Sequence, residues 1–129
     1  MPKSNAFPSL SLRIDLDAGS RIGPGKIALL ENIDRHGSIS AAGRAMEMSY
    51  KRAWDLVDEI NRVCRQPVVA RQTGGRNGGG AALTPFGQQL VERYRRIERD
   101  AANAVKKDLA ALRGEIAKPR KGRGGKAAS

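Results

Sequence analysis

Two serines that lie eleven residues apart set the tightest limit on how this chain can fold. Serine is a preferred cap of helix N-termini, and Ser38 and Ser49 each precede apolar residues at helical spacing. The helix after Ser38 must end near Glu47, so it is too short to be stable without packing. The helix after Ser49 runs to about Arg65 and carries one inner apolar stripe: Ala53, Val57, Ile60 and Cys64. The pattern predicts two packed helices joined by a tight turn.

Patterns on either side of this helix pair complete a recognisable order of elements. Residues 11–17 alternate between apolar and polar side chains, as in a half-buried strand, and residues 18–20 form a turn. Pro24 suits the first position of a helix that Gly37 ends.

A hairpin is predicted after the third helix. Residues 68–72 and 81–84 have the character of two strands, and the glycine-rich residues 73–80 form the turn between them. The order is therefore strand, three helices, hairpin and long helix. This is the layout of a winged helix-turn-helix, a mainly α-helical fold with a small β-hairpin wing.

A long helix begins at Pro85 and extends to about Arg113. Its apolar side chains recur at steps of three and four, which is too regular for a helix surrounded by water. We expect a second copy of the chain to cover this stripe, so the residues predicted at a homodimer interface are Phe86, Leu90, Tyr94, Ile97, Ala101, Val105 and Leu112. The chain then divides into a flexible N-terminus (1–10), a DNA-binding domain (11–84), a dimerisation helix (85–113) and a disordered basic tail (114–129).

The charge of the chain indicates the class of its partner. The formal net charge is +11, with 24 Lys and Arg against 13 Asp and Glu, so the chain attracts polyanions. No stretch approaches the roughly 20 apolar residues of a membrane span, and no signal peptide is recognisable. We expect a cytoplasmic protein that binds nucleic acid.

The sequence contains few residues of the types that catalysis or metal binding requires. The chain has one cysteine and one histidine. Cys64 is expected to be a small core residue, and His36 is expected to interact with the end of a helix. No nucleophile with an acid–base partner and no metal cluster is apparent. We therefore expect that the chain is not an enzyme and that it has no catalytic residue, no bound metal and no cofactor.

In a winged helix-turn-helix, the start of the third helix lies in the major groove of DNA. Hydroxyl, ammonium and guanidinium groups at this helix start are suited to donate to base edges and phosphates. The predicted DNA-binding residues are Ser38, Ser40, Ser49, Tyr50, Lys51, Arg52, Asp55, Arg71, Thr73, Arg76 and Asn77. For the start of the third helix the alternative is an ordinary solvated helix face, and for the glycine-rich turn it is a merely flexible hairpin. For Trp54, the helical spacing favours a core position over stacking on a base.

Several segments resemble known bacterial regulators. Residues 38–49 resemble the helix-turn-helix entry of LysR-type regulators. Residues 49–55, 73–81 and 83–87 resemble, in this order, the N-terminal domain of ModE, the molybdate-responsive repressor family. The resemblance implies a recognition helix that starts at Ser49, a wing at 73–80, a dimer interface from Pro85 and a link to molybdenum metabolism. In ModE-type regulators oxyanion-binding domains follow, whereas here a basic tail follows, so we expect no molybdate site in this chain.

Two hypotheses of function remain open at this point. The favoured one is a sequence-specific transcription regulator, a repressor that binds a palindromic operator in double-stranded DNA as a homodimer. The alternative is non-specific architectural binding of nucleic acid, carried by the tail and the total charge.

Overall fold

The structure is a computed structural model that describes residues 8–72 and 80–117. Residues 11–97 form one compact unit, and residues 98–117 belong to a second. The elements are β1 (Ile14–Asp17), β2 (Ser20–Ile22), α1 (Pro24–His36), α2 (Ile39–Ala45), α3 (Tyr50–Cys64), β3 (Val69–Gln72), β4 (Gly80–Leu83), α4 (Pro85–Ala104) and α5 (Lys106–Ala117). No helix in the described ranges is long and apolar enough to cross a bilayer.

Local sequence signals explain both ends of α1 and the starts of α2 and α3, as the sequence predicted. α1 begins at Pro24 and ends at His36, and the following Gly37 caps it with a φ of 76°, in the left-handed region that favours glycine. The Ser38 hydroxyl accepts a hydrogen bond from the Ala41 amide at 2.9 Å. The Ser49 hydroxyl accepts one from the Arg52 amide at 3.0 Å. Both predicted serine caps are therefore confirmed.

The turn between α2 and α3 is tight, and a small residue permits the close packing of the two helices. A Cβ atom at Gly43 would lie 3.1 Å from the Cβ of Ala53, so any larger side chain would separate α2 from α3. The Met48 amide donates to the Gly43 carbonyl at 2.9 Å. Glu47 has a φ of 59°, a strained value for a residue with a side chain. The turn thus fixes where α3 starts relative to α2.

Two antiparallel hairpins flank the helices. In the first, Ile14 lies opposite Ile22, and an irregularity between Asp15 and Asp17 interrupts the register. The sequence prediction of a strand at 11–17 and a turn at 18–20 was wrong in detail, because the strand begins at Ile14 and Ser20 belongs to its partner β2. Three residues are too few to show a period-two pattern. In the second hairpin the register runs from Val69 opposite Leu83 to Gln72 opposite Gly80. The strands predicted at 68–72 and 81–84 are each displaced by one residue at their ends, because Gly80 pairs with Gln72 and belongs to β4 and not to the predicted turn at 73–80. The rest of that turn, 73–79, lies outside the described residues.

One apolar core lies inside the unit of residues 11–97. Its members come from both hairpins and from four helices. The largest fully buried side chains are Tyr94, Ile27, Leu29, Leu30, Ile33, Ile60 and Val68. This core holds α3 from behind and leaves the first turn of that helix exposed.

The start of α4 is fastened to the hairpin of β3 and β4. The Thr84 hydroxyl accepts from the Gly87 amide at 3.0 Å and donates to the Pro67 carbonyl at 2.9 Å. A Cβ atom at Gly87 would overlap the carbonyl oxygen of Val68, so only glycine allows this approach. About two helical turns further along α4, the Tyr94 hydroxyl donates to the Leu12 carbonyl.

The long helix predicted from Pro85 to about Arg113 is divided at Val105. The Val105 amide donates to Ala101 at 3.1 Å and the Leu109 amide donates to Val105 at 2.9 Å, so helical hydrogen bonds continue across the junction. Residues 114–117, which the sequence analysis assigned to the tail, belong to α5 because alanine, leucine and glutamate around Gly114 favour a helix. The predicted flexible N-terminus and basic tail lie, in 1–7 and 118–129, outside the described residues.

Candidate nucleic-acid interface

The first turn of α3 combines a fixed backbone with exposed polar side chains. Tyr50 is 62% exposed, and the side chains of Lys51 and Asp55 are 83% and 56% exposed. The opposite side of the helix buries Ala53, Leu56, Val57 and Ile60 in the core. The predicted residues at the start of this helix are therefore brought together on one accessible surface.

Two of these charges partly neutralise each other, and a third does not. The Lys51 ammonium lies 2.9 Å from the Asp55 carboxylate one helical turn away, an exposed ion pair that contributes little to stability. Arg52 is exposed, and within the described ranges its guanidinium forms no hydrogen bond and no ion pair. Arg52 is thus a cation at the start of α3 that remains available to a ligand.

The predicted serines of α2 lie at the start of that helix. Ser38 is the cap described above, and Ser40 accepts a hydrogen bond from the Arg44 guanidinium at 3.0 Å. Both serines are half-buried, and Arg44 is exposed. Arg44 was not among the predicted contacts, although its spacing of four residues from Ser40 is the signal that could have identified this pair.

Of the predicted wing residues, the structure describes Arg71. It is exposed on β3, and its guanidinium carbon lies 5.0 Å from the centroid of the Trp54 ring. Thr73, Arg76 and Asn77 lie outside the described residues. The structure therefore places one wing cation directly beside α3.

Trp54 packs against the core, as predicted, and also contacts two residues of the interface. Its ring meets that of Tyr50 edge to face, with centroids 6.2 Å apart and an interplanar angle of 69°. Its indole Nε1 is buried and has no hydrogen-bond partner among the described residues. Sequence spacing places Tyr50 and Trp54 on the same helix face, but it does not reveal the contact with Arg71.

An open cleft of about 360 Å³ beside Arg52 adds further cations. Its lining includes Arg13, Arg21 and Lys26. The Lys26 ammonium donates to Glu59 at 2.7 Å, and this hydrogen bond lowers the pKa of the Glu59 carboxyl. Arg13 and Arg21 both lie within ion-pair distance of Asp15, at 3.0 and 3.9 Å, so the cleft adds cations that are partly neutralised. The Lys26–Glu59 pair joins α1 to α3.

The residues predicted at a dimer interface fall into three groups. Tyr94 is only 2% exposed and is held within its own chain by its bond to Leu12, so it lies in the core and not on an accessible surface. Ile97 is 40% exposed and lines a groove of about 410 Å³ between the β1–β2 hairpin and α4, together with Phe86 and Leu90. Leu16, which was not predicted, lines the same groove and is 53% exposed. In the second unit, Ala101 and Val105 are half-buried and Leu112 is 45% exposed.

The single histidine and the single cysteine lie at positions that suit a structural role. His36 is exposed in the last turn of α1. Cys64 is half-buried, and burial raises the pKa of its thiol, which disfavours the reactive thiolate. Within the described ranges, no three His, Cys, Asp or Glu residues form a group able to hold a metal ion.

No family model matches the chain, but individual proteins are similar to it. It is 40% identical over 94 residues to the molybdenum transport protein ModE of Azotobacter vinelandii, which covers 73% of this chain and 35% of that protein. It is 47% identical over 87 residues to the molybdenum-pterin-binding protein MopB of Rhodobacter capsulatus, covering 67% and 32%. It is 45% identical over 71 residues to the DNA-binding transcriptional dual regulator ModE of Escherichia coli K12, covering 55% and 27%. The chain spans about a third or less of the length of these relatives.

Among solved structures, the chain is similar to the DNA-binding domain in the CbnR_DBD–DNA complex. The TM-score is 0.55 at 18% identity, covering 68% of this chain and 95% of that domain. This likeness confirms the predicted winged helix-turn-helix fold. The similarity to ModE confirms the resemblance seen in the sequence. The ModE proteins of Escherichia coli and Haemophilus influenzae are named as transcriptional regulators, in agreement with the expectation that this chain is not an enzyme.

Proposed function

We propose that this chain, which is similar to ModE and folds as a winged helix-turn-helix, is a sequence-specific DNA-binding transcription regulator. The observation that carries the proposal is the first turn of α3, where Tyr50, Lys51 and Arg52 are exposed on a helix start capped by Ser49. The rest of α3 is held by the core. A rigid helix that presents donors at one end is suited to reading base edges.

The side chains at this helix start are matched to the major groove, which is about 12 Å wide. The guanidinium of Arg52 is suited to donate two hydrogen bonds to guanine O6 and N7. Opening of the exposed Lys51–Asp55 pair leaves an ammonium for guanine or phosphate and a carboxylate that accepts from the cytosine amino group. We therefore assign base reading to the first turn of α3.

Phosphate contacts come from the elements beside α3. Ser38 and Ser40 lie at the start of α2, and Arg71 lies at the base of the wing. Hydroxyl and guanidinium groups in such positions fix the register of a protein on DNA without reading its sequence. Of the wing itself, Thr73, Arg76 and Asn77 are proposed to contact phosphates or the minor groove.

We propose that the active form is a homodimer, with a second copy of the chain over the groove between the β1–β2 hairpin and α4. Leu16 and Ile97 are exposed at this groove, and an apolar surface of this kind favours association. In the second unit, Leu112 and Ile116 are 45% and 69% exposed on α5, which gives a dimer further apolar surface to bury. Two recognition helices related by a two-fold axis read an inverted repeat.

The proposed role is repression of genes of molybdenum metabolism in the bacterial cytoplasm. The link to molybdenum rests on the names of the ModE and Mop relatives. A dimer bound across a promoter competes with polymerase, which is the simplest way for a DNA-binding unit to act. For molybdate itself we expect no micromolar binding to these 129 residues, because exposed cations hold a small dianion weakly in water. Calorimetry at physiological salt tests this expectation.

Selection of bound fragments from random DNA, followed by sequencing, tests the proposal. A specific dimer recovers an inverted repeat and binds it at least about a thousandfold more tightly than random duplex. The positive charge of the chain, +11, favours architectural binding as the second candidate. That function would return no consensus and only a steep salt dependence, which is the outcome that excludes our proposal.

A further inference from the structure

Three side chains from different elements meet beside the start of α3, with Trp54 in the middle. Tyr50 is the first residue of α3, Trp54 follows about one turn later, and Arg71 lies on β3. The indole contacts the Tyr50 ring edge to face at 6.2 Å and the Arg71 guanidinium at 5.0 Å. It therefore connects the proposed base-reading helix to the strand that leads into the wing.

The charge of Arg71 is oriented by this contact but not neutralised. Within residues 8–72 and 80–117, its guanidinium forms no hydrogen bond and no ion pair. A cation–π contact of this kind does not use the N–H donors of the guanidinium as a hydrogen bond would. Arg71 is thus available to an anion from a position over the indole ring.

The indole itself is held by packing and not by a polar contact. Trp54 is half-buried against the core, and its buried Nε1 has no hydrogen-bond partner among the described residues. A ring that is fixed in this way is a rigid platform. An arginine that is already ordered on such a platform loses less side-chain entropy when it binds DNA.

We propose that Trp54 is a positioning residue for DNA binding, which holds the Arg71 guanidinium where it donates to a backbone phosphate beside the groove entered by α3. This inference rests on the proposed function. It gives the indole a role beyond packing, and it predicts that Trp54 and Arg71 act on DNA affinity as one unit.

A double-mutant cycle on the full chain tests this coupling. The probe is the duplex that the wild-type chain selects from random DNA, with affinity measured by anisotropy over a range of salt concentrations. Arg71→Ala should reduce the salt slope by about one, as expected for one lost phosphate contact. Trp54→Leu should weaken binding about 5-fold when Arg71 is present and less than about 1.5-fold in the Arg71→Ala background. Arg62→Ala, at the opposite end of α3, is the matched control and should leave the slope unchanged.

A second substitution keeps the test valid if Trp54→Leu does not fold. Trp54→Phe retains a smaller aromatic face, and we expect about a 2-fold loss with Arg71 present and none with Arg71→Ala. Urea unfolding of every variant separates stability from affinity. Equal losses in both backgrounds would show that the indole acts through folding alone, and the inference would be wrong. If the wild-type chain selects no DNA at all, the proposed function fails instead, which is a different result.

The fluorescence of Trp54 gives an independent readout, because it is the only tryptophan of the chain. Binding of a phosphate to the stacked guanidinium should change the indole emission. We expect this DNA-induced change to fall by at least half in Arg71→Ala, whereas Arg62→Ala should retain it. An unchanged response in Arg71→Ala would also overturn the inference.

Discussion

Helices α3 and α4 carry equally regular apolar stripes, but the chain covers them to different degrees. α3 buries Ala53, Leu56, Val57 and Ile60 in its 15 residues, whereas the 20 residues of α4 bury Gly87 and Tyr94. What α3 leaves exposed is polar and basic, while α4 leaves Ile97 exposed beside an apolar groove. The same periodic pattern therefore specifies core positions in one helix and a candidate interface in another.

The close attachment of α4 to the core can be tested by adding a single carbon atom at Gly87. A Cβ atom at Gly87 would overlap the Val68 carbonyl oxygen, so Gly87→Ala must displace the helix or the strand. We expect it to lower the free energy of unfolding by about 3 kcal/mol, measured by urea denaturation. Gly25→Ala is the control, because nothing lies within 4 Å of the added atom, and it should stabilise α1 slightly. Similar values for the two variants would contradict the close approach.

The exposed end of the α4 stripe tests the proposed dimer. Ile97→Glu places a charge in the apolar groove, and we expect the dimer Kd to rise about 30-fold, which corresponds to about 2 kcal/mol. Sedimentation equilibrium measures the change. Arg96→Glu introduces the same residue at the exposed neighbouring position and should have a much smaller effect. A wild-type chain that is monomeric at micromolar concentration, with and without DNA, would remove the basis for this interface.

The exposed end of α3 tests how specificity and affinity are divided. Arg52→Ala should lower the ratio of selected-site to random-DNA affinity about 10-fold, since a lost base contact costs about 1 to 3 kcal/mol. Truncation after Ala117 removes five cations: Lys118, Arg120, Lys121, Arg123 and Lys126. It should weaken binding to both DNAs by similar factors and flatten the salt slope. If the truncation instead lowered the ratio of the two affinities and Arg52→Ala left that ratio unchanged, the tail would read the sequence and α3 would not.

The turn before α3 stores backbone strain that a substitution can release. Glu47 has a φ of 59°, and a residue without a Cβ adopts this conformation more easily. We expect Glu47→Gly to raise the free energy of unfolding by about 1 kcal/mol. Glu47→Ala keeps the Cβ and should give no such gain. A thermal shift of the same size in both variants would show that charge, and not φ, is responsible.

The smallest expected effect concerns the covered side of α3. The hydrogen bond from Lys26 lowers the pKa of Glu59 below its ordinary value of 4.5, so its stabilising contribution is present above that pH and is lost as the pH falls through the folded-state pKa. The Glu59 side chain is 40% exposed, and we expect Glu59→Gln to cost less than about 1 kcal/mol at pH 7. The difference from the wild-type chain should vanish as the pH falls below the folded-state pKa of Glu59. A difference that does not depend on pH would show that packing of the side chain is responsible.

Local sequence signals predicted the elements but not all of their partners. The ends of α1, the caps of α2 and α3 and the hairpin of β3 and β4 follow from residues a few positions apart. β2 was missed because three residues carry no detectable period. At the candidate interface, the exposed start of α3 agrees with the prediction, whereas Leu16 at the groove was overlooked because a strand pattern does not show what it faces.

The sequence alone was sufficient to predict the three helices α1 to α3, the hairpin of β3 and β4, the helix start at Pro85, the cap of α3 at Ser49 and the positive charge. Capping, turn formation and helical periodicity depend on neighbours within about four residues, so they can be read along the chain. Only the tertiary structure placed Arg71 on Trp54 and bound Tyr94 to Leu12, a contact between residues 82 positions apart. Such contacts depend on how the packed helices and hairpins orient each other, and no local pattern contains that orientation.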